Sequence, residues 1–375
     1  MKKILLLLLL AFPAISIAQG KAYNLLIGTY TTGKSEGIYV YRFDTTTGKV
    51  TYQDKVTGIN NPSYIAISND RKFIYSVNEV GSDRTGSVSS FSFDAKSGKI
   101  TLINKQPSIG AGPCYISVDK ANKNVFVANY AGGSLTVLPI KADGSLGEPS
   151  QNIQDEGTGP NKSRQEKPHV HTAVLSPDEK FLLYTDLGTD KLNIMKYNPS
   201  AAKPLTPAQP AFVASVGGDG PRHIAFSPDN KFMYLIHEMG GDIYTYAYNN
   251  GQLKKLASTT IVPDGFSGSI GAADIHISPD GKYLYSTNRG SENEIETFRI
   301  NRENGALALV DRTSSMGKTP RNFVIDPTGN FLLVANQNSD DVYVFRINKT
   351  TGKLTYTDTK IIVGNPSCLK FAAVD

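Results

Sequence analysis

Cysteine is scarce in this sequence, which has only Cys114 and Cys368 among 375 residues. The two lie in equivalent strands of an internal repeat, in copies that are not neighbours, and they are one position out of register. Their side chains should therefore point to opposite faces of the predicted strands. Because a disulfide needs close and suitably directed Cβ atoms, we expect two free, buried, structural thiols.

Long apolar runs are also lacking, with one exception at the beginning, MKKILLLLLLAFPAISIAQG. Two lysines, a short apolar core and small residues before Gln19 are typical of a secretory signal peptide. The run is too short to span a bilayer, so no membrane anchor is expected after cleavage. We predict a signal peptide over 1–18, a single domain over 19–375, and a periplasmic or secreted protein.

Charge of one sign is not concentrated anywhere. The 39 Lys and Arg outnumber the 34 Asp and Glu by five, and removal of Lys2 and Lys3 leaves a net charge of +3. The lysines are scattered through turns, whereas a nucleic-acid surface needs a basic stripe with interleaved aromatic residues. No nucleic-acid partner is expected.

Helical periodicity is absent beyond the first residues, and a repeat of about 50 residues takes its place. Each copy contains an alternating apolar strand, a tight turn such as Ser-Pro-Asp-Asn-Lys at 227–231, and a second strand rich in Tyr, Phe, Leu and Val. Two further strands complete the copy. Six copies and the beginning of a seventh start at Pro62, Pro113, Val170, Pro221, Ala272, Pro320 and Pro366.

Four short antiparallel strands per copy predict an all-β fold, a seven-bladed β-propeller. Segments 24–30, 37–43 and 50–56 resemble the second, third and fourth strands of a blade that lacks its first. Segment 366–372 resembles a first strand without followers. We therefore predict a closing blade that both ends of the chain share, which leaves no open sheet edge.

Two sets of positions should meet at one mouth of the central channel, because the first and second strands of a blade are antiparallel. One set follows the copy's first residue, and the other ends the second strand. Most members are small, aromatic or Asn, and we expect the Asn residues to satisfy local backbone groups. The charged or titratable exceptions are Glu79, His171, Arg222, Glu238, Arg289 and Arg321.

Three arginines on successive blades, Arg222, Arg289 and Arg321, predict an anion-binding site, because an uncompensated cationic cluster is costly. The alternative is that Glu79 and Glu238 pair with them structurally. The pair His169 and His171 could ligate a metal near Asp186, but no third ligand stands in register, so no metal and no cofactor are predicted. His276 aligns with small residues and is expected to be packed.

Several segments resemble the seven-bladed lactonase family, which contains a bacterial 6-phosphogluconolactonase and the fungal muconate-lactonising enzyme. The matching stretches are KPHVHTAVLSPDEKFLLYTDLGTDKL, GPRHIAFSPDNKFMYLIHE, HISPDGKYLYSTNRG and TPRNFVIDPTGNFLLVANQNSDDVYVF. The resemblance covers essentially all of the mature chain. It implies a catalytic set of His171 (or His169), Arg222, Glu238 and Arg289.

The expected reaction is metal-independent hydrolysis of a sugar or carboxylate-bearing lactone. His171 or Glu238 would be the general base and Arg222 would stabilise the oxyanion, while Arg289 and Arg321 would hold an anionic group of the substrate. His169, His223, Glu79 and Asn288 are further candidates for substrate contact. No G-x-S-x-G segment indicates a serine nucleophile.

Two alternatives remain open at this point. One is a propeller that binds a ligand or protein at the same face without catalysis. The other is the metal-dependent lactonase chemistry of six-bladed propellers, which the seven copies and the thin ligand set disfavour.

Overall fold

A computed structural model describes residues 22–80 and 85–374. The predicted signal peptide lies outside these residues. The described residues form seven four-stranded antiparallel sheets, with one 3₁₀ turn at Gln337–Ser339. None of their helices has the length and apolar character needed to cross a membrane.

Six of the seven blades are built from four strands that are consecutive in sequence. The seventh combines the first three strands with the last strand of the chain. The first three, which belong to blade 7, are β1 (Ala22–Thr29), β2 (Gly37–Asp44) and β3 (Val50–Thr57). Blade 1 contains β4 (Ile65–Ile67), β5 (Phe73–Asn78), β6 (Thr85–Asp94) and β7 (Lys99–Ala111). Blade 2 contains β8 (Pro113–Val118), β9 (Asn124–Asn129), β10 (Ser134–Pro139) and β11 (Gln151–Gln154).

Blades 3 and 4 carry much of the candidate site. Blade 3 contains β12 (Val170–Leu175), β13 (Phe181–Asp186), β14 (Lys191–Tyr197) and β15 (Leu205–Ala214). Blade 4 contains β16 (Pro221–Phe226), β17 (Phe232–His237), β18 (Asp242–Asn249) and β19 (Gln252–Thr260).

The remaining strands complete the ring. Blade 5 contains β20 (Ala272–Ile277), β21 (Tyr283–Asn288), β22 (Glu294–Ile300) and β23 (Leu307–Ser314). Blade 6 contains β24 (Pro320–Ile325), β25 (Phe331–Asn336), β26 (Asp341–Ile347) and β27 (Leu354–Ile362). The last strand, β28 (Pro366–Ala373), returns to blade 7.

The closing blade confirms the prediction made from the two ends of the sequence. Strand β28 pairs antiparallel with β1, with Leu25 opposite Phe371 and Ile27 opposite Leu369. The sheet order is β28-β1-β2-β3, so the C-terminal strand is the innermost strand of a blade built otherwise from the beginning of the chain. Backbone pairing over most of both strands, with one irregularity at Gly28 and Thr29, holds the two segments together.

The Ser-Pro-Asp turns explain why the first two strands of a copy form a tight hairpin. In blade 4 the Ser227 hydroxyl donates to Asp229 at 2.7 Å, and Oδ1 of that carboxylate accepts the backbone N–H of Lys231 at 3.2 Å. The Ser227 hydroxyl also accepts the N–H of Phe232 at 2.9 Å. Short polar side chains thus replace backbone partners that the turn lacks.

Apolar side chains fill the space between blades. The clusters draw on inner strands of neighbouring sheets; one, for example, joins Tyr234 and Ile236 of blade 4 to Ile275 and Leu284 of blade 5. All four are essentially buried. Both cysteines are free and buried, as expected.

Candidate active site

A β-bulge stands at the start of the inner strand in several blades, at the position that follows the copy's first residue. In blade 4 Pro221 pairs with His237 and His223 with Ile236, which leaves Arg222 without an opposite residue. The same shift sets apart Cys114, His171 and Arg321 in blades 2, 3 and 6. Because a bulge bends the strand and re-aims its extra side chain, it directs these residues to the central channel.

These bulge residues and the ends of the second strands line two cavities at one face of the disc. The larger of these two cavities, which we call the upper pocket, has a volume of about 240 Å³. It is lined by Tyr30, Glu79, Cys114, Tyr130, Arg164, His171, Glu238, Arg289 and Arg321. A small axial cavity of about 10 Å³ is lined by Ser63, Tyr64, Cys114, His171, Arg222, His223, Arg321, Asn322 and Ser367. The two share Cys114, His171 and Arg321.

Glu238 is the centre of the charge arrangement in the upper pocket. Its Oε1 accepts from Arg164 Nη2 at 2.5 Å, and its Oε2 lies 3.0 Å from Arg222 Nε and 2.7 Å from Arg289 Nη2. Burial by itself would raise the pKa of this carboxyl, but the three guanidinium groups hold it well below its usual range. Glu238 is therefore ionised, and both of its oxygens are occupied by strong donors.

The arginines around Glu238 differ in their access to the pocket. The Arg222 side chain is 2% exposed, while that of Arg289 is 16% and that of Arg164 is 42% exposed. Burial lowers the pKa of Arg289 to about 10, so it remains a cation at neutral pH. Arg222 lies behind Glu238, and the other two face the space a ligand would enter.

Gly290 fixes the chain directly after Arg289. A Cβ at Gly290 would lie 1.9 Å from the Ser269 carbonyl oxygen, so only glycine allows the two segments to approach this closely. Gly188 occupies a similar place in blade 3, where a Cβ would lie 1.9 Å from the Lys167 carbonyl oxygen. The close contact between Gly290 and the Ser269 carbonyl oxygen in blade 5 holds the neighbouring Arg289 at the rim of the pocket.

His171 is a neutral imidazole in an electropositive environment. His171 is 4% exposed, and its Nδ1 has no hydrogen-bond partner among the described residues. Burial and then the charge of Arg222 lower the pKa of His171 well below its ordinary value. The ring is therefore neutral at physiological pH, and a neutral imidazole has one nitrogen that can accept a proton.

Arg321 belongs to a second hydrogen-bonded group on the opposite side of the pocket. Its Nη2 donates to the Tyr30 hydroxyl at 2.9 Å, and that hydroxyl donates to Glu79 Oε2 at 2.8 Å. Ser63 also donates to Glu79, at 2.5 Å. Among the ion pairs of residues 22–80 and 85–374, Arg321 takes part in none, although the tyrosine joins it indirectly to Glu79.

The other sequence-predicted residues lie around the pocket without lining it. His169 stacks on Tyr130 with ring centroids 4.5 Å apart, and its two nitrogens lie 3.0 Å from the Tyr130 carbonyl oxygen and 3.2 Å from Glu166. His223 lines the axial cavity. Asn288 Oδ1 accepts the backbone N–H groups of Gly271 and Gly290, which is the strand-end role expected of this position.

The H-x-H pair does not act as one unit. His169 precedes β12 and His171 is its bulge residue. Both rings contact Tyr130, at centroid distances of 4.5 and 5.6 Å, but only His171 lines the upper pocket. Asp186 Oδ1 accepts the backbone N–H of His169 at 2.7 Å and that of Gly188 at 2.9 Å. Within the part of the chain that the structure describes, no group of three or more His, Cys, Asp or Glu side chains could hold a metal ion.

Arg164 is the pocket residue that sequence reasoning missed. It lies on the segment between β11 and β12, which is outside the repeat and has no equivalent in the other copies. Buried Gln165 anchors this segment, because its Nε2 donates to the Leu187 carbonyl at 2.9 Å and its Oε1 accepts the N–H of Asn161 at 3.0 Å. The length of this insertion, on the face of the disc where the pocket opens, was the one sequence feature that could have indicated a pocket residue here.

Comparison with known proteins gives one family and several close relatives. The family model described as "Lactonase, 7-bladed beta-propeller" matches residues 24–371. A Bacillus subtilis protein named 6-phosphogluconolactonase is 36% identical over 92% of this chain and 97% of its own length. A Formosa agariphila protein of the same name is 36% identical over 92% of this chain and 98% of its own.

A solved structure gives a further comparison. The structure of the Pseudomonas aeruginosa periplasmic gluconolactonase matches with a TM-score of 0.90 and 40% sequence identity. The match covers 94% of this chain and all of that one. Similarity of this extent includes every blade and the segments that carry the candidate site.

Proposed function

The chain belongs to the seven-bladed β-propeller lactonase family, and from that membership we propose that His171, Glu238 and the surrounding arginines open a lactone in the upper pocket. It is a lactonase, a hydrolase that acts on a sugar lactone. The observation that carries the assignment of the site is a neutral, buried His171 that lines the same pocket as the Glu238–arginine cluster.

Hydrolysis begins with addition of water to the lactone carbonyl carbon. His171 takes a proton from the water as the new C–O bond forms, and the carbonyl oxygen becomes an oxyanion. The ring C–O bond then breaks, and the imidazolium returns its proton to the leaving alkoxide. The product is an open-chain hydroxy acid, and His171 is again neutral.

His171 is a better candidate for the base than Glu238. Guanidinium donors occupy both oxygens of Glu238, whereas His171 Nδ1 has no hydrogen-bond partner among the described residues. Glu238 instead holds the arginines in a fixed arrangement. Pre-organised donors of this kind stabilise developing charge without reorganisation during the reaction.

The oxyanion role belongs to an arginine that reaches the pocket. Arg222 was expected to fill it, but its side chain is 2% exposed and is used by Glu238 and by neighbours below the pocket. Arg289 and Arg164 line the pocket and contact the same carboxylate. We assign oxyanion stabilisation to Arg289, with Arg164 closing the pocket from its loop.

Charge and size favour a small anionic lactone. Four arginines (164, 222, 289 and 321) face two carboxylates (Glu79 and Glu238), which leaves two positive charges in excess. The cavity of about 240 Å³ is smaller than the roughly 300–1,000 Å³ of pockets that take drug-sized ligands. A single sugar ring with a carboxylate or phosphate group fits these properties, and Arg321 would hold that group.

We further propose that the protein works in the periplasm or outside the cell. The support is the signal-like sequence at residues 1–18 and the periplasmic gluconolactonase of Pseudomonas aeruginosa that the chain resembles. A phosphorylated sugar lactone belongs to the cytosol, so this location favours lactones that lack phosphate.

The test is a lactone panel with purified residues 19–375. Glucono-δ-lactone, its 6-phosphate and a carboxylate-bearing lactone are mixed with the protein in weak buffer, and acid release is followed after subtraction of spontaneous hydrolysis. We expect EDTA-resistant turnover of at least one lactone and its loss in His171→Gln. Saturable binding of the lactones without any acid release would contradict the proposal and would indicate a binding protein.

A further inference from the structure

Below the upper pocket lies a buried carboxylate that the proposed reaction does not use. Asp274 is 1% exposed and lies within the β-bulge of blade 5, between Ala272 and Ile275. Its Oδ1 lies 2.7 Å from His223 Nδ1, and its Oδ2 lies 3.0 Å from His276 Nε2. It also accepts from the side chain of Asn322 and from the backbone N–H of Phe323 at 3.1 Å.

This arrangement is costly unless every donor is in place. No Lys or Arg pairs with Asp274 among the described residues, so neutral donors and two imidazoles compensate the charge. A buried carboxylate that lost them would face a large desolvation penalty. Burial alone would raise the pKa of Asp274, but the histidines at its two oxygens hold it well below its usual range.

The neighbours of His223 determine its tautomer. Arg222 Nη1 lies 3.2 Å from His223 Nε2, and a guanidinium can only donate. His223 Nε2 must therefore accept, which leaves the proton on Nδ1, where it is donated to Asp274. Burial and the charge of Arg222 lower the pKa of His223 to about 3, in agreement with a neutral ring.

We propose that His223 and Asp274 are positioning residues that fix the guanidinium of Arg222 and, through it, the carboxylate of Glu238. The inference rests on the proposed function, because it gives these residues a task in the same site. The contacts run without a gap from Asp274 to His223, from His223 to Arg222, and from Arg222 Nε to Glu238 Oε2 at 3.0 Å.

The chain of contacts crosses from one blade to the next. Arg222 and His223 stand on β16 in blade 4, whereas Asp274 stands on β20 in blade 5. Arg222 Nη1 also donates to the carbonyl oxygen of Ala273, the residue before Asp274. Blade 5 thus holds the Arg222 side chain at two points, which sets the relation between Glu238 of blade 4 and Arg289 of blade 5.

These contacts fix the orientation of the side chains and do not transfer a proton. Arg222 keeps its protons at any physiological pH, so it interrupts transfer between His223 and Glu238. His276 marks the far end, two residues further along β20 from Asp274, where its ring meets Phe323 edge-on at 4.8 Å. Each oxygen of the Asp274 carboxylate thus has one imidazole partner.

A matched pair of variants separates positioning from general support. His223→Gln places an amide oxygen near the former Nε2, which keeps an acceptor for Arg222. His223→Asn places its amide near Nδ1, which keeps a donor for Asp274 and removes the acceptor. We expect His223→Asn, which removes the acceptor for Arg222, to lose about tenfold or more in kcat, in the range of 10–100-fold known for outer partners of metal ligands. His223→Gln, which loses only the contact with Asp274, should lose clearly less.

The loss should appear in kcat and not in KM, because Arg321, which would hold the substrate's anionic group, is outside the path. A residue with only a packing role would lower the melting temperature and leave the two variants alike in kcat. Equal kcat in the Gln and Asn variants, with wild-type turnover intact, would overturn the positioning role while the proposed function stands.

A second readout is independent of turnover. The chain has five histidines, so ¹⁵N-histidine NMR with single variants can identify the His223 signals. We expect a neutral ring with the proton on Nδ1 between pH 5 and 8; a proton on Nε2, or titration near the ordinary histidine value, would overturn the proposal. If no lactone is hydrolysed, the proposed function fails, and gluconate affinity replaces kcat in the same comparison of variants.

Discussion

Arg222 Nε lies 3.0 Å from Glu238 Oε2, and the two residues are 16 positions apart, at the start of one strand and just beyond the end of the next in the same blade. Both side chains are almost completely buried. A charge pair in this position tolerates the loss of neither partner, because the remaining charge would be buried without compensation. The ion pair therefore ties the stability of blade 4 to the electrostatics of the pocket.

Replacement of Glu238 should separate its contribution to the stability of blade 4 from its contribution to the electrostatics of the pocket. Glu238→Ala leaves Arg222 unpaired and should cost roughly 3–5 kcal/mol of stability. Glu238→Gln keeps an oxygen for one guanidinium and should unfold closer to the wild-type temperature. We expect both variants to lose lactone turnover, since Arg289 and Arg164 are no longer held. Turnover near the wild-type rate in either folded variant would contradict the role of Glu238.

The pH dependence of turnover identifies the base. The pKa of His171 in the folded protein is lowered, so its proton-accepting form persists as the pH falls below 6.5 and is lost only when the pH passes the lowered value. We expect kcat/KM for a non-phosphorylated lactone to remain flat from pH 8 to pH 6. An acid limb centred at the ordinary histidine value of about 6.5 would be inconsistent with a buried, neutral His171 as base.

His171→Gln is the control for this profile. It should remove the turnover that varies with pH and leave the spontaneous rate. His237→Gln serves as the matched variant, since its ring contacts Ser215 and the Asp242 carbonyl oxygen and lines neither cavity. If His237→Gln changed the acid limb and His171→Gln did not, the base would have to be sought elsewhere.

The sequence predicted the scaffold and the mouth of the channel because both follow from period and register. Alternation of apolar residues showed where each strand begins, and antiparallel pairing showed which ends meet at one face. Arg222 and Arg321 could be placed on that basis alone. The shared closing blade was equally accessible, since β28 and β1 each lack the partner that the other supplies.

Register could not show which polar side chains reach the pocket. His171 and His169 differ by two positions and both contact Tyr130, but only His171 lines the pocket. His223 follows Arg222 directly and both line the axial cavity, but only Arg222 contacts Glu238 of the upper pocket. Arg164 lies on an insertion, where no repeat gives a position.

Arg164 offers a test of the pocket that does not disturb the fold. Its side chain is 42% exposed, and Glu238 keeps Arg222 and Arg289 as partners without it, so its contribution to stability should be small, about 0–1 kcal/mol. We expect Arg164→Ala to lower kcat/KM and to leave the melting temperature nearly unchanged. Arg222→Ala is the contrasting variant, because it should lower both. A wild-type kcat/KM in Arg164→Ala would exclude this loop residue from the site.

The buried carboxyl group of Glu296 should make the free energy of unfolding depend on pH, independently of catalysis. It is fully buried in blade 5, and burial raises its pKa well above the ordinary value, against the effect of the Ser286 hydroxyl that donates to it at 2.5 Å. A raised pKa in the folded state stabilises the protein below the unfolded value of about 4.5 and loses that contribution as the pH rises.

The stability difference between Glu296→Gln and the wild type should therefore shift in favour of the variant by up to about 1.4 kcal/mol per pH unit above pH 4.5. Urea unfolding at pH 5, 6.5 and 8 measures this slope. Glu303→Gln, at an exposed turn, is the control and should show none. A difference that stays constant over this range would show that Glu296 is ionised in the folded protein.

Arg321 should decide which lactones the protein prefers. It donates to the Tyr30 hydroxyl, lines both cavities and forms no ion pair among the described residues, so its charge is available to a ligand. A hydrogen bond to a charged group contributes roughly 1.5–3 kcal/mol, which corresponds to about a 10–100-fold change in an equilibrium constant. We expect Arg321→Met to raise KM for an anionic lactone by about that factor.

The neutral glucono-δ-lactone provides the internal comparison, because it has no charged group for Arg321 to bind. Its KM should change much less than that of a carboxylate- or phosphate-bearing lactone in the same variant. Tyr30→Phe, which removes the hydroxyl that accepts from Arg321 but keeps the charge, should preserve the preference for anions. Equal losses for neutral and anionic lactones in Arg321→Met would place the anionic group elsewhere in the pocket, with Arg164 as the remaining exposed cation.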